Sequence, residues 1–292
     1  MSLLLVIAVA TGCQSPRFGG AAPKSLIESR QLSQRGVNAI ERNDWESAEK
    51  LLVQAVDRCP ICPEARRNYA KTLWQRGQST EALAQMDEAL RLSVDDPTLL
   101  VDAAAMRFTV GDLDRATQHV QRALQLDHHF AAAWTLRGRI SQQQGQLTEA
   151  LADYQRALQY DPNSPETLIL VAQLYTQVGR PYRALANLRY LQDQYTPGTE
   201  PQQLLNLQAV NYSATARYND AAVCLRQATR QGPATPETLS RLAQVEMQSG
   251  HLVEAREAAT RALSLDPNHV ASRTILQQVE IASRSGVQNQ RR

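Results

Sequence analysis

With 43% hydrophobic but only 5% aromatic residues, this chain of 292 residues suits many small apolar contacts and excludes one large aromatic core. Its 31 Lys and Arg against 29 Asp and Glu leave a formal net charge of +2 with no long basic run, so the electrostatic footprint of a nucleic-acid binder is missing.

The first element in chain order is a run of eight apolar residues, Leu3–Ala10, too short to span a bilayer as a helix but long enough for the core of a secretory signal. Next comes Ala10-Thr11-Gly12-Cys13, which resembles the lipobox of bacterial lipoprotein signal peptides. The resemblance implies that residues 1–12 are a signal peptide and that Cys13 is the lipidated first residue of the mature protein. Small residues fit a peptidase pocket, and the thiol is the nucleophile for lipid transfer. An ordinary signal peptide and a buried hydrophobic terminus are the alternative readings. Gln14 stands where the enterobacterial inner-membrane retention signal has Asp, which points to the outer membrane. The implied location is the bacterial cell envelope, lipid-anchored and facing the periplasm. Residues 13–28 then read as the anchor cysteine and a flexible tether rich in Gly, Ala, Pro and Ser, with an end-to-end distance of roughly 20 Å.

From residue 29 onward, three ladders share one register. Ala48, Ala82, Ala116, Ala150 and Ala184 are spaced by 34 residues, continued with one slip by Ala221 and Ala255. Gly77, Gly111, Gly145 and Gly179 run five residues earlier, and Ala55, Ala89, Ala123 and Ala157 seven residues later. A fixed period of this length marks a repeat array. A small residue twelve positions before each alanine, such as Gly36, Gly138 or Ala172, lies on one predicted helix and the alanine on the next, so two backbones approach closely where they cross. Between them glycine turns the chain, with Asn43 and Ala216 in its place in the first and sixth units. Ser164-Pro165-Glu166 and Thr235-Pro236-Glu237 read as helix starts.

In the fourth unit Trp134, Gly138, Gly145, Ala150, Tyr154, Ala157 and Pro162 fall where the tetratricopeptide repeat (TPR) pattern puts such residues, and the chain resembles that family. The resemblance implies an all-α fold, a right-handed α-solenoid of about seven helix-turn-helix units at 29–62, 63–96, 97–130, 131–164, 165–198, 202–235 and 236–269. Thr199, Glu200 and Pro201 are inserted before the sixth, which should change the superhelical step. Val94 and His128 replace the pattern's proline, and Leu191 its alanine. Residues 270–283 read as an amphipathic capping helix, and 284–292 as a polar, basic, disordered tail.

Chemistry-bearing residues are few. Cys59 and Cys62 sit in the turn joining the first two units, and Cys224 in the second helix of the sixth. Four readings stay open for the pair: a structural disulfide, unremarkable turn thiols, a redox site, or half of a metal site that has no second pair. His119, His128, His129, His251 and His269 are scattered over different repeats without a triad or metal-ligand spacing. No catalytic residue, metal, cofactor, small-molecule substrate or nucleic acid is expected.

The TPR resemblance implies that the first helix of each unit lines a concave groove that meets peptide ligands. Carried over by position, a cationic and aromatic patch comprises Arg67, Lys71, Trp74, Phe108, Arg139 and Gln142, suited to a protein segment with acidic and aromatic residues. Farther along, Gln173, Thr176, Asn206, Ser213, Gln244 and Met247 are polar and almost uncharged. A solvated groove with two aromatics filling gaps is the alternative. The expected function is a non-enzymatic, membrane-tethered TPR scaffold that assists assembly of an envelope complex. The alternatives are a periplasmic thiol-active protein using Cys59 and Cys62, and a self-associating structural protein.

Overall fold

The computed structural model describes residues 23–290, with no strand among them. The apolar leader, Cys13 and most of the expected tether lie outside the described residues. The chain divides into two compact units, Met1–Val94 and Asp95–Arg292.

The first unit holds α1 (Lys24–Glu41), α2 (Trp45–Arg58), α3 (Pro63–Gln75) and α4 (Ser79–Leu92). Helix α1 starts inside the stretch 13–28 assigned above to the tether, which corrects that boundary. After Pro23 no breaker interrupts the run. Lys24 and Glu28 pair one turn apart at 3.9 Å, and the buried Ser29 hydroxyl donates to the Ala55 carbonyl at 2.7 Å. A disulfide joins Cys59 to Cys62 with a Cα–Cα distance of 5.4 Å, and Cys62 occupies the N-cap of α3.

The second unit holds α5 (Pro97–Thr109), α6 (Leu113–Leu126), α7 (Ala131–Gln143), α8 (Leu147–Tyr160), α9 (Pro165–Gln177), α10 (Pro181–Gln192), α11 (Gln202–Ala214), α12 (Tyr218–Gln231), α13 (Pro236–Gln248), α14 (Leu252–Leu265) and α15 (Val270–Gln290). Side chains close several helix starts. Asp96 accepts from the Thr98 amide at 2.8 Å, Ser164 from Thr167 at 3.4 Å and Thr235 from Thr238 at 3.2 Å, each with proline at the first helical position. Helix α15 packs Ile275 and Val279 against Ala255, Ala258 and Ala259, then continues to Gln290. That continuation corrects the start of the disordered tail assigned to 284–292 as far as Gln290, the last described residue: no proline stops the helix, and Gly286 costs only about 1 kcal/mol against alanine.

The ladders describe helix crossings. All seven ladder alanines from Ala48 to Ala255 have no exposed surface. At Gly138 the approach is so close that a Cβ would sit 2.6 Å from Tyr154 Cδ1 and Cε1 and 3.1 Å from the Ala150 carbonyl oxygen. Between paired helices the turn residue adopts the left-handed conformation, as at Gly145 with φ 79°, and Asn43 and Ala216 take it at φ 58°. For alanine this costs roughly 1–2 kcal/mol that glycine would avoid. In the fourth repeat the Trp134 indole donates to the His128 carbonyl at 2.7 Å. Its ring lies 4.3 Å from the Arg137 guanidinium carbon and 4.7 Å from that of Arg156.

The insertion before the sixth repeat lies in the loop between α10 and α11. Glu200, 6% exposed, accepts from the Gly198 amide at 2.8 Å and from Gln227 on α12, while Gln231 donates to the Gly198 carbonyl at 2.6 Å. Burial works to raise the Glu200 carboxyl, but hydrogen bonds from its own amide, Gly198, Gln192 and Gln227 hold it below the usual carboxylate range. The loop is thus clasped to α12 through one carboxylate.

Candidate functional site

Helix α3 of the first unit carries Arg67, Lys71 and Trp74 at the i, i+4, i+7 spacing of one helical face, each partly buried. Phe108, Arg139 and Gln142 belong to the second unit, on α5 and α7. The six residues assigned to one patch therefore divide between the two units.

Within the second unit the helices converge on Arg139. Its guanidinium carbon lies 4.9 Å from the Phe108 ring centroid, and its Nη1 is 3.5 Å from Glu166 Oε1 on α9. Ring face and carboxylate together fix a side chain that would otherwise sample many rotamers. Beside it runs a cleft of 350 Å³ whose wall is apolar at Val101, Ala105 and Leu136 and polar at Arg139, Ser164 and Glu166. One turn on, Gln142 Oε1 accepts from the Tyr154 hydroxyl at 2.8 Å and Gln142 Nε2 donates to Gln177 at 3.2 Å. Burial pushes the Tyr154 phenol well above its ordinary pKa, so it stays a hydrogen-bond donor. The arrangement offers a cation, an aromatic face and an apolar trough, the mixture found at binding hot spots.

The weakly charged residues farther along are partly committed to internal bonds. Thr176 receives a hydrogen bond at 2.8 Å from Asn211, a fully buried residue that the sequence reading did not single out. Ser213 donates to the Ala209 carbonyl at 2.8 Å. Ser213 and Gln244 line a second cleft of 380 Å³ with Val210, Tyr218, Arg241 and Gln248. Sequence reasoning also missed Glu166 and Tyr154 as partners of the candidate residues. The hint for Glu166 was available, since it sits 27 residues after Arg139 at the start of the next inner helix.

The cysteines and histidines lie outside the lining of the Arg139 cleft. Among the described residues no cluster of three or more His, Cys, Asp or Glu could hold a metal ion, and no helix is long and apolar enough to cross a membrane. Cys59 is buried and cross-linked. Cys224 is a buried thiol whose pKa burial pushes up to about 11, and its Sγ lies 3.7 Å from Gln208 Oε1. The His128 and His129 rings lie with centroids 3.7 Å apart and planes tilted by 42°, and His129 meets Tyr160 edge-on at 4.9 Å. His251 Nδ1 lies 2.9 Å from Glu246 Oε2, and Arg226 Nε donates to the other oxygen of that carboxylate at 2.6 Å.

Comparison with known proteins agrees with this architecture. Family models described as tetratricopeptide repeat match residues 34–97 and 236–269, and one described as TPR repeat matches residues 138–179. A curated relative, tetratricopeptide repeat protein 33 of Xenopus laevis, is 32% identical over 94 residues, 32% of this chain and 36% of the relative. The chain thus spans about a third of that relative's length. A tetratricopeptide repeat protein from Parabacteroides merdae superposes with a TM-score of 0.59 at 17% identity, covering 87% of this chain and 99% of that one. YrrB, described as a TPR protein with an unusual peptide-binding site, superposes with a TM-score of 0.55 at 16% identity over 64% of this chain and 95% of its own. At these identities the structures speak for the fold alone. The three matched segments are similar to tetratricopeptide repeats, and the all-helical fold that carries them is an α-solenoid like those of the tetratricopeptide repeat structures it superposes on.

Proposed function

We propose that the protein is a non-enzymatic scaffold, tethered to a bacterial envelope membrane through lipid on Cys13, that holds a segment of a partner protein carrying acidic and aromatic residues. The observation that carries this reading is Arg139, oriented by Phe108 and Glu166 at the edge of an apolar trough. Its ion pair with Glu166 is largely exposed and contributes at most about 1 kcal/mol, so an incoming carboxylate replaces Glu166 at little cost. An aromatic or aliphatic side chain beside that carboxylate then buries itself against Val101, Ala105 and Leu136. The trough supplies most of the affinity, and the cation supplies orientation and on-rate. The peptide-binding site described for YrrB supports peptide binding as a use of such a fold.

The test measures binding of a pool of short acidic-aromatic peptides by fluorescence anisotropy. Arg139→Glu is expected to weaken binding about ten-fold or more, and added salt to slow association more than it speeds release. Retention of affinity in Arg139→Glu would refute the site. For the tether, wild-type protein is expected in the detergent phase and Cys13→Ser as unprocessed precursor. A mature N-terminus upstream of Cys13 would refute the lipid anchor.

A further inference from the structure

We propose that the Cys59–Cys62 disulfide is a thiol–disulfide exchange site that oxidises a protein-borne dithiol, an activity confined to the first unit and independent of the Arg139 reading. The pair closes the turn between α2 and α3, and its two sulfurs belong to residues in unlike surroundings. Cys59 ends α2 and is only 8% exposed, whereas Cys62 is partly exposed and Ile61 between them is 77% exposed. Access therefore directs an incoming thiolate to Cys62.

The repeat register says what Cys62 gains when the bond opens. Asp96, Ser164 and Thr235 stand at the same position before α5, α9 and α13, and the side chain of each accepts a backbone N–H from the first turn of its helix. Cys62 precedes Pro63 at the start of α3 in the same manner, yet its side chain accepts no such bond. A sulfur held in a disulfide is a weak acceptor. A thiolate in its place is a charged acceptor beside amides that have no partner inside the helix. Opening the bond thus supplies the cap that α3 lacks, and stabilising the reduced form makes the oxidised pair a better electron acceptor.

The turn does not depend on the bond. The Cys62 amide donates to the Cys59 carbonyl at 3.0 Å. Arg66 Nε reaches back from α3 to the Pro60 carbonyl at 3.0 Å, and its Nη1 donates to Gln85 on α4 at 2.8 Å. Pro60 and Pro63 restrict the backbone further. These contacts keep the two thiols close after reduction, so the bond can re-form without a conformational search.

In the exchange a partner thiolate attacks Cys62 Sγ and forms a mixed disulfide. The Cys59–Cys62 bond breaks, and its electron pair leaves on Cys59 Sγ, which takes a proton from water. The partner's second thiolate then attacks the partner sulfur of the mixed disulfide, closing the partner's own disulfide and releasing Cys62 as the thiolate that caps α3. Two electrons pass from the dithiol to the pair, and the dithiol gives up its two protons to solvent. Ile61, apolar and exposed inside the ring, offers a contact for the side chains that flank a dithiol carried by a protein.

For the test, full-length wild-type protein with the bond intact is equilibrated with glutathione buffers from oxidised to reduced, alkylated and weighed. At the reduced end more than half of the pair is expected open with helical circular dichroism unchanged, and oxidised glutathione is expected to restore the bond. A structural disulfide resists the glutathione pool. Oxidised glutathione should add to Cys62 in Cys59→Ser at least about ten-fold faster than to Cys59 in Cys62→Ser. A pair that stays more than half joined at the reduced end, helix content lost on opening, or a faster adduct at Cys59 would each overturn the site. Two reductants distinguish the source of the dithiol: dihydrolipoamide, and a short peptide with Cys-Ser-Ser-Cys flanked by Leu and Phe. Ile61→Ser is expected to slow opening by the peptide about three-fold or more and to leave opening by dihydrolipoamide unchanged. An equal effect on both would overturn the protein source, while the exchange itself stands.

Discussion

Replacing Gly138 by alanine tests the helix crossing at its tightest point. The added methyl would lie 2.6 Å from two ring carbons of Tyr154, about 1 Å inside an ordinary carbon contact. Tyr154 cannot step aside cheaply, because it is fully buried and its hydroxyl is tied to Gln142 at 2.8 Å. Overpacking a well-filled site costs about 1–3 kcal/mol, and losing the Tyr154 bond adds about 1 kcal/mol. Against this, alanine gains about 1 kcal/mol over glycine inside a helix. The net expectation is a loss of about 1–3 kcal/mol, read as a lowered urea midpoint by circular dichroism and by Trp134 fluorescence from the same helix. In a Tyr154→Phe background the same substitution should cost about 1 kcal/mol less, since no hydroxyl bond remains to break. A Gly138→Ala protein as stable as wild type would refute the account of why small residues occupy these crossings.

At the neighbouring ladder position Ala150→Leu should lower stability by about 1–3 kcal/mol, while Gln143→Leu, at an exposed site on the same hairpin, should change it by less than about 0.5 kcal/mol in the same urea titration. Burial pushes the Glu246 carboxyl up, but bonds from Arg226 and His251 outweigh this and hold it below the usual range. A lowered folded pKa means that this stabilisation is complete above the unfolded carboxylate value and disappears as pH falls through the folded one. The urea midpoint should therefore fall on acidification below about pH 4.5, and less steeply in Glu246→Gln. Cys224 should resist alkylation at neutral pH in native protein and react after denaturation, with Cys59 and Cys62 joined throughout, as mass measurement will report. Glu166→Gln should raise affinity for acidic-aromatic peptides by up to about five-fold, the equivalent of the exposed ion pair it removes.

What could be read from the sequence was whatever repeats. Ala48 through Ala255 announced their burial because each solves the same crossing, and Asn43 and Ala216 announced their left-handed turns by standing in the glycine register. Features that occur once left no such trace. The tie from Tyr154 to Gln142, the pairing of Asn211 with Thr176 across 35 residues and the hold of Glu166 on Arg139 all depend on which side chains two packed helices bring together. Helix ends were misjudged for a related reason. Composition marked residues 13–28 and 284–292 as irregular, yet α1 begins at Lys24 and α15 runs to Gln290, because no proline follows Pro23 within the first stretch and none occurs in the second. The six candidate residues were identified by register, which assigns each to a helix but does not reveal its partners.

The Glu200 clasp bears on how such a chain avoids mistakes while it folds. Arrays of interchangeable units are prone to docking one repeat out of step, since each apolar face resembles the next and a shift of one period still buries alanine against alanine. A shift of α12 against the loop before α11 would part Glu200 from Gln227 and the Gly198 carbonyl from Gln231, leaving a buried carboxylate one donor short. The clasp thus acts as an address that the periodic contacts lack. It counts the repeats from the inside, because the correctly phased chain adds the Gln227 donor to those the loop and α10 already supply.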